Sequence, residues 1–335
     1  MKIDGGIGFA PSGVAAEAAK AEASGYDGVW SAETSHDPFL PIAIGASAAE
    51  KLDFGTGITV AFARNPMTLA VVANDLQLLT KGRFMLGMGS QIKPHITKRF
   101  SMPWSHPAPR MREMILAIRA IWKTWETGEK LDFRGEFYTH TLMTPFFNPG
   151  PNPHGNPKIL LAGVGEQMTE VAGEVGDGFL VHGFTTERYL REKSLPALER
   201  GAAKVGKTRA DLTVSYPGFV VTGETDRDVE AADQAVRQQI AFYGSTPAYR
   251  PVLELHGWGD LQSELNTLSK RGEWVKMGEK IDDEVLNAFA VVAPLDKVAA
   301  EVKTRFGALV DRYSFYAPYK VDAEVWKDVL AGFKS

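Results

Sequence analysis

Eight short apolar runs begin near residues 3, 27, 54, 83, 158, 178, 212 and 312, and each gives way to a segment of helical periodicity. This alternation constrains the fold more than any other feature of the chain. Strands separated by helices pair in parallel, because each crossover returns the chain to run in the same direction. Eight such repeats predict an α/β fold of the (β/α)8 barrel type, with its chemistry at the C-terminal ends of the strands. A doubly wound sheet satisfies the same alternation without closing. The chain reads as one domain over residues 1–335, with insertions after strand 4 (residues 91–108 and 131–157) and after strand 7 (residues 244–290).

The clearest unit is residues 53–90. Its first run, residues 54–62, carries Ile58, Thr59, Val60 and Phe62, the pattern of a strand buried on both faces. Pro66 stands where a first-turn proline is tolerated, apolar residues recur at helical spacing to Leu79, and Lys81-Gly82 is a stop signal. The second run, Phe84-Met85-Leu86, ends in Gly87-Met88-Gly89-Ser90. The spacing predicts a first strand over residues 2–9 and helices over 110–127, 187–205, 295–306 and 322–333, with strands over 158–162, 178–181, 212–222 and 312–316. Residues 131–157 read as an inserted hairpin and loop, and residues 244–288 as a mostly helical insertion.

A net charge of −4 leaves no basic footprint for nucleic acid and no polybasic patch for a membrane. Without cysteine there is no disulfide, thiolate nucleophile or thiolate-bound metal. The N-terminal MKIDGGIGFA lacks a signal peptide's apolar core, and no run approaches the ~20 apolar residues of a membrane span. The expectation is a cytoplasmic protein acting on a small molecule.

If the barrel closes, the segments at residues 33–38, 61–65, 89–95, 163–168, 182–186 and 316–319 converge. Among them, Ala162–Met168 (AGVGEQM) sets two glycines between a strand and a helix start. Free amides and the positive end of the helix dipole favour a phosphate there, although glycines also occur at any tight βα turn. As a dinucleotide fingerprint the pattern is poor, since a third glycine is missing. His36, His95 and His182 are candidate proton relays, or else surface and packing histidines. Within GSQIKPHITKRF, Lys93 and His95 are the better candidates. Phe100, Met102, Trp104, Phe146 and Phe147 either line an apolar substrate pocket or seal the barrel top. Arg110 reads as a cofactor or substrate contact or as a helix-start ion pair with Glu113, and Lys193 and Arg188 as solvated surface. His95 and His106 lack metal-ligand spacing and a carboxylate partner, so no metal site is expected.

Several stretches carry a family resemblance in order along nearly the whole chain: ASGYDGVW (23–30), residues 54–66, TKGRFMLGMG (80–89), IRAIWKTW (118–125), GEFY (135–138), ILLAGVGEQMTEVAGEVGDG (159–178), and AVVAPLDKVAAEV followed by DRYSFYAP. Together they resemble the bacterial-luciferase-like superfamily of flavin- and deazaflavin-dependent oxidoreductases. The blend is most similar to the actinobacterial branch that uses coenzyme F420; reduced FMN serves elsewhere in the superfamily. The resemblance implies a cofactor phosphate on Gly163, Val164, Gly165, Glu166, Gln167 and Met168. It also implies a non-proline cis peptide at Gly57-Ile58 behind the cofactor ring, with Gly89 and Glu33 as further contacts. From the residues alone, Gly57 is a plain strand glycine.

In the F420-dependent sugar-phosphate dehydrogenases an Asp-His pair stands at the end of strand 2, and a glutamate follows strand 4. The corresponding residues here are Glu33-Thr34 and Ile92. Thr34 cannot act as a base near neutral pH, so sugar-phosphate oxidation is not expected. The catalytic candidates are therefore Glu33, His36 and His95, with Lys93, Phe100, Trp104, His182 and Lys193 as substrate candidates; the resemblance implies anion contacts for Lys193 and Arg188. The resemblance further implies a homodimer formed through the early helices and a reductase that supplies reduced cofactor. A barrel that binds a flavin without turnover is the reading outside enzymology.

Overall fold

The computed structural model of the chain describes residues 1–8, 10–320 and 323–334. Eight parallel strands form the frame: β1 (Lys2–Gly6), β2 (Gly28–Ser31), β3 (Asp53–Thr56), β4 (Phe84–Gly89), β5 (Lys158–Gly163), β6 (Gly178–Val181), β7 (Thr213–Val221) and β8 (Arg312–Tyr316). The sheet runs β7-β8-β1-β2-β3-β4-β5-β6, and the pairing of β6 with β7 closes it into a barrel. Register is in step along the early strands: Asp4 faces Gly28, Gly28 faces Asp53, Phe54 faces Phe84, and Met85 faces Lys158. The doubly wound alternative is thereby excluded.

The long apolar run at residues 54–62 is broken. β3 stops at Thr56, the Gly57-Ile58 peptide is cis, Thr59–Val60 rejoins β4, and Ala61–Ala63 is a short 3₁₀ turn. Bonds to the end of β2 continue through the break, since Gly57 N–H donates to Ser31 O (2.8 Å) and Ile58 O accepts from Glu33 N–H (3.1 Å). A run buried on both faces has no periodicity for such a break to interrupt.

The helix Pro66–Leu79 starts as expected. Asn65 accepts from Thr68 N–H at 3.0 Å, and Pro66 occupies the first turn. The 110–127 helix begins three residues early, as Pro107–Thr127. The helix expected over 187–205 divides into Glu187–Tyr189, a wide turn at Leu190–Ser194, and Leu195–Ala203. β1 ends at Gly6, three residues short of the expected strand end, and residue 9 lies outside the described residues. The last helix is Ala323–Lys334, and residue 322 of its expected start is likewise outside them.

Residues 131–157 carry the antiparallel pair Phe133–Arg134 with Thr139–His140. The expected 91–108 loop contains one wide turn, His95–Arg99. The stretch from residue 244 onward is helical until a strand the sequence did not announce, Ala290–Val292, which pairs with the end of β7. Phe219 is the branching point, facing Ala290 on one edge and Tyr316 on the other.

Two compact units emerge, residues 4–180 with 197–213, and residues 1–3 with 181–196 and 214–335. In the first, Met85, Leu160 and Leu180 form a buried cluster with Trp30, Ile58 and Ala162 packed against it. In the second, Phe184, Phe219, Val236, Ile240, Leu265 and Phe289 belong to one large core. Among the described residues, no helix is long and apolar enough to cross a membrane.

Candidate functional site

At the end of β2, Glu33 is held from three directions. Its Oε2 accepts from Val60 N–H at 2.7 Å and from Arg64 Nη1 at 2.6 Å, and its own N–H donates to Ile58 O. Arg64 also donates through Nη2 to Asp37 Oδ2 at 2.9 Å and lies 5.5 Å over the Phe39 ring. The Glu33 side chain is 7% exposed, so the pair with Arg64 is largely removed from water. Glu33 therefore clamps the turn immediately beyond the cis peptide. Arg64 was not singled out from sequence; its only signal was a cation placed just after a strand in AFARNP.

Ile58 packs against the buried cluster of Met85, Leu160 and Leu180, as do the half-buried Trp30 and Ala162. Gly89 makes this position possible: a Cβ there would lie 2.6 Å from Ile58 Cδ1. Trp30 is fixed by its Nε1–H, which donates to Asp4 Oδ2 at 2.8 Å. Ser31 Oγ and Thr59 Oγ1, beside this surface along the chain, are buried without a hydrogen-bond partner among the described residues. The strand end thus offers an apolar plate, a fixed carboxylate and two unspent hydroxyls.

At the end of β5 the helix Glu166–Val175 starts from Gly165, which has no side chain with which to cap it. The first-turn amides of Glu166, Gln167 and Met168 are left for a ligand or for water. Gly163 is pressed against Met168, where a Cβ would meet Cγ at 2.9 Å; Val164 is half-buried and Gly165, Glu166 and Gln167 are exposed. Glu166 is balanced by Arg200 at 2.9 Å. These features fit a planar heteroaromatic cofactor carrying a phosphate.

The other expected residues divide. His36, Lys93 and His95 are exposed, as is Lys193 in the wide turn at Leu190–Ser194. Phe100 is half-buried under Arg99, whose guanidinium lies 4.8 Å above the ring and donates to Thr34 O. Trp104 meets Phe62 edge-on at 5.6 Å. Phe146 and Phe147 pack on each other and are 90% and 71% exposed, so neither lines an enclosed pocket within its unit.

Arg110 makes no ion pair with Glu113. Its Nε donates to Tyr138 Oη (2.9 Å), its Nη1 to Pro103 O (2.8 Å), and its guanidinium lies 4.7 Å from the Phe62 ring. Glu113 instead accepts from the backbone N–H groups of Glu136, Phe137 and Tyr138. The two side chains tie the rim loop and the hairpin to one helix. The helix-start ion pair expected there is replaced because backbone donors in the folded hairpin reach Glu113.

His182 follows β6. Its Nδ1 accepts from Phe184 N–H at 3.0 Å, and its Nε2 lies 3.1 Å from Tyr249 Oη. Burial pushes the imidazole down to about 4, so the ring is neutral at pH 7. Tyr243 and Tyr316 share a hydroxyl–hydroxyl bond of 2.7 Å beside it. Sequence reasoning named His182 and placed Tyr316 at the start of a converging rim segment, but missed Tyr243 and Tyr249, which lie 61 and 67 residues further along the chain than His182. Among the described residues, no group of three or more His, Cys, Asp or Glu is placed to hold a metal ion.

Comparison with known proteins places these features in context. The family described as luciferase-like monooxygenase matches residues 3–312. An uncharacterized protein of Mycobacterium tuberculosis is 55% identical over 93% of this chain and 92% of its own length. A 5,10-methylenetetrahydromethanopterin reductase of Archaeoglobus fulgidus is 27% identical over 84% of this chain and 82% of its own. Among solved structures, the coenzyme F420 dependent tetrahydromethanopterin reductase from Methanopyrus kandleri superposes with a TM-score of 0.79 at 18% identity, covering 99% of this chain and 97% of that one.

Proposed function

Since this chain belongs to the luciferase-like monooxygenase family, we propose that it is an F420-dependent oxidoreductase that moves a hydride between the deazaflavin and a small organic substrate. The observation that carries this reading is Glu33 at the end of β2, clamped by Val60 N–H and Arg64 beside the apolar plate of Ile58, Met85, Leu160 and Leu180. The Archaeoglobus and Methanopyrus relatives, named as tetrahydromethanopterin reductases and in the second case as F420 dependent, favour the deazaflavin over FMN. When bound, the cofactor supplies the hydride chemistry; the protein supplies position and exclusion of water.

Ile58 would back the ring, and the amides of Glu166, Gln167 and Met168 would hold the phosphate, helped by the helix dipole. Glu33, fixed by Val60 N–H and Arg64, would set the polar edge of the ring, where Ser31 and Thr59 hydroxyls are also unspent. Thr34 replaces the base of the sugar-phosphate enzymes, so a proton would have to move through another group or through water. The rim loop would cover the substrate through Trp104, which packs edge-on against Phe62, while Arg110 lies over that ring and holds the neighbouring Pro103 O.

The second reading is an FMN-dependent monooxygenase served by a separate reductase, and the family's own description favours it. A homodimer through the early helices also belongs to this proposal. Leu40, Val71 and Leu78 are large apolar side chains exposed there.

Parallel equilibrium titrations with F420 and FMN, each oxidised and reduced, test the reading. F420 is expected to bind at least about tenfold more tightly than FMN, a gap of ~1.4 kcal/mol. Tight binding of reduced FMN alone would move the protein to the oxygenase reading. Binding of neither would overturn both.

A further inference from the structure

We propose that His182, Tyr243, Tyr249 and Tyr316 form a ligand subsite for an uncharged organic molecule bearing a carbonyl oxygen, such as a ketone or carboxamide. All four are half-buried and lie within one compact unit. His182 sits directly after β6, and Tyr316 is the last residue of β8, so both mark the strand ends at which barrels do chemistry.

The hydrogen-bond inventory gives the subsite its polarity. Because His182 Nδ1 accepts from Phe184 N–H, the neutral ring carries its proton on Nε2 and donates it to Tyr249 Oη. The Tyr249 hydroxyl hydrogen then has no acceptor among the described residues. Tyr243 and Tyr316 share one hydrogen between their hydroxyls, which leaves a second hydrogen unspent. Two phenolic donors are therefore available on a surface walled by aromatic rings. His182 lies 4.7 Å from Tyr249 and 4.9 Å from Tyr243, and Tyr243 lies 6.3 Å from Tyr316.

The backbone is shaped to the same end. Gly183 carries no Cβ where one would lie 3.0 Å from Tyr316 Cδ1. Phe184 is fully buried and stacks at 5.6 Å under Tyr249, which holds the phenol in place.

Charge decides the ligand class. Among the described residues, no lysine, arginine or carboxylate hydrogen-bonds to any of the four side chains. Burial pushes Tyr249 up to about 12, so its phenol stays neutral and keeps its hydrogen for donation. An anion brought here would lose its hydration with no cation to replace it, whereas a carbonyl oxygen needs only the two donors. The aromatic walls suit an apolar or flat body. This subsite would select against phosphate- and carboxylate-bearing molecules. The assignment rests on the proposed oxidoreductase reading only in taking the ligand to be the substrate.

The test is a titration of the full-length protein carrying 15N-labelled histidine, with cyclohexanone as the probe and cyclohexanecarboxylate as its anionic counterpart. The His182 ring signals are identified by their loss in His182→Gln. Cyclohexanone is expected to move them saturably and the carboxylate to leave them in place. Tyr249→Phe, and independently the double variant Tyr243→Phe with Tyr316→Phe, should each weaken the ketone about tenfold, the loss of one buried hydrogen bond. An equal response to the anion, no saturable shift with the ketone, or full ketone affinity in both variants would overturn the assignment. If F420 binds normally while the ketone fails, this inference alone falls. If the ketone binds while neither F420 nor FMN does, the oxidoreductase reading falls and the subsite stands.

Discussion

Two residues that each follow a barrel strand, Glu33 after β2 and His182 after β6, are fixed by opposite means. Glu33 is gripped by a cation and a backbone amide, Arg64 and Val60, within a charged triad completed by Asp37. His182 is gripped by neutral groups alone, a backbone amide and a phenol among aromatic rings. The two repeats share a topology yet set different electrostatic conditions at their ends. A repeated fold determines where side chains stand, and the local partners decide what charge they carry.

The largest expected effect comes from breaking the charged end. Glu33→Ala leaves Arg64 with the partly exposed Asp37 and a 3.3 Å bond to Val60 O, and strips Val60 N–H of its acceptor. Loss of one member of a largely buried pair costs about 3 kcal/mol, read as a lower urea midpoint. A loss below about 1 kcal/mol would mean that the pair does not hold the turn after the cis peptide.

The neutral end should respond to pH instead. The folded His182 titrates at about 4 and the unfolded one near 6.5, so between these values the unfolded chain binds the extra proton. Stability is then full above pH 6.5 and falls as pH drops toward 4, by at most about 3 kcal/mol and by less after local relaxation. Comparing urea unfolding of the wild type and His182→Gln across this range isolates the contribution. Burial also lowers His140 and His256, but those two titrate in both proteins. Equal slopes for the two proteins would show that His182 is not held neutral.

Asp37→Asn sharpens the comparison at the smallest scale. Asp37 pairs with the same Arg64 as Glu33 does, but its side chain is 41% exposed. Its replacement should cost about 0.5 kcal/mol or less, as for exposed pairs generally. A loss comparable to that of Glu33→Ala would make the triad a single cooperative unit.

The sequence made some of this legible and hid the rest. Alternating apolar runs and helical periods gave the eight strands, and Asn65-Pro66 and Lys81-Gly82 marked the ends of one helix. The cis peptide left no trace in a run apolar throughout; only the family resemblance pointed to it. Ala290–Val292 was missed because three apolar residues between helices are too few for a period to register. Arg110 was read with Glu113 because the two lie one helical turn apart, yet in the fold each finds a partner from another segment.

By itself, then, the sequence determined the eight parallel βα repeats, the glycine turn at residues 163–165 and the identity of the residue after each strand, while closure into a barrel waited on the pairing of β6 with β7. These follow from local periodicity and turn chemistry, which act over a few residues. Only the tertiary structure decided what those residues bind: Arg64 for Glu33, Phe62 and Tyr138 for Arg110, and the three tyrosines around His182. Such partners are separated by 28 to 134 residues along the chain. Hydrogen bonds, charge and burial act on distance in space, and that distance exists only once the barrel has formed.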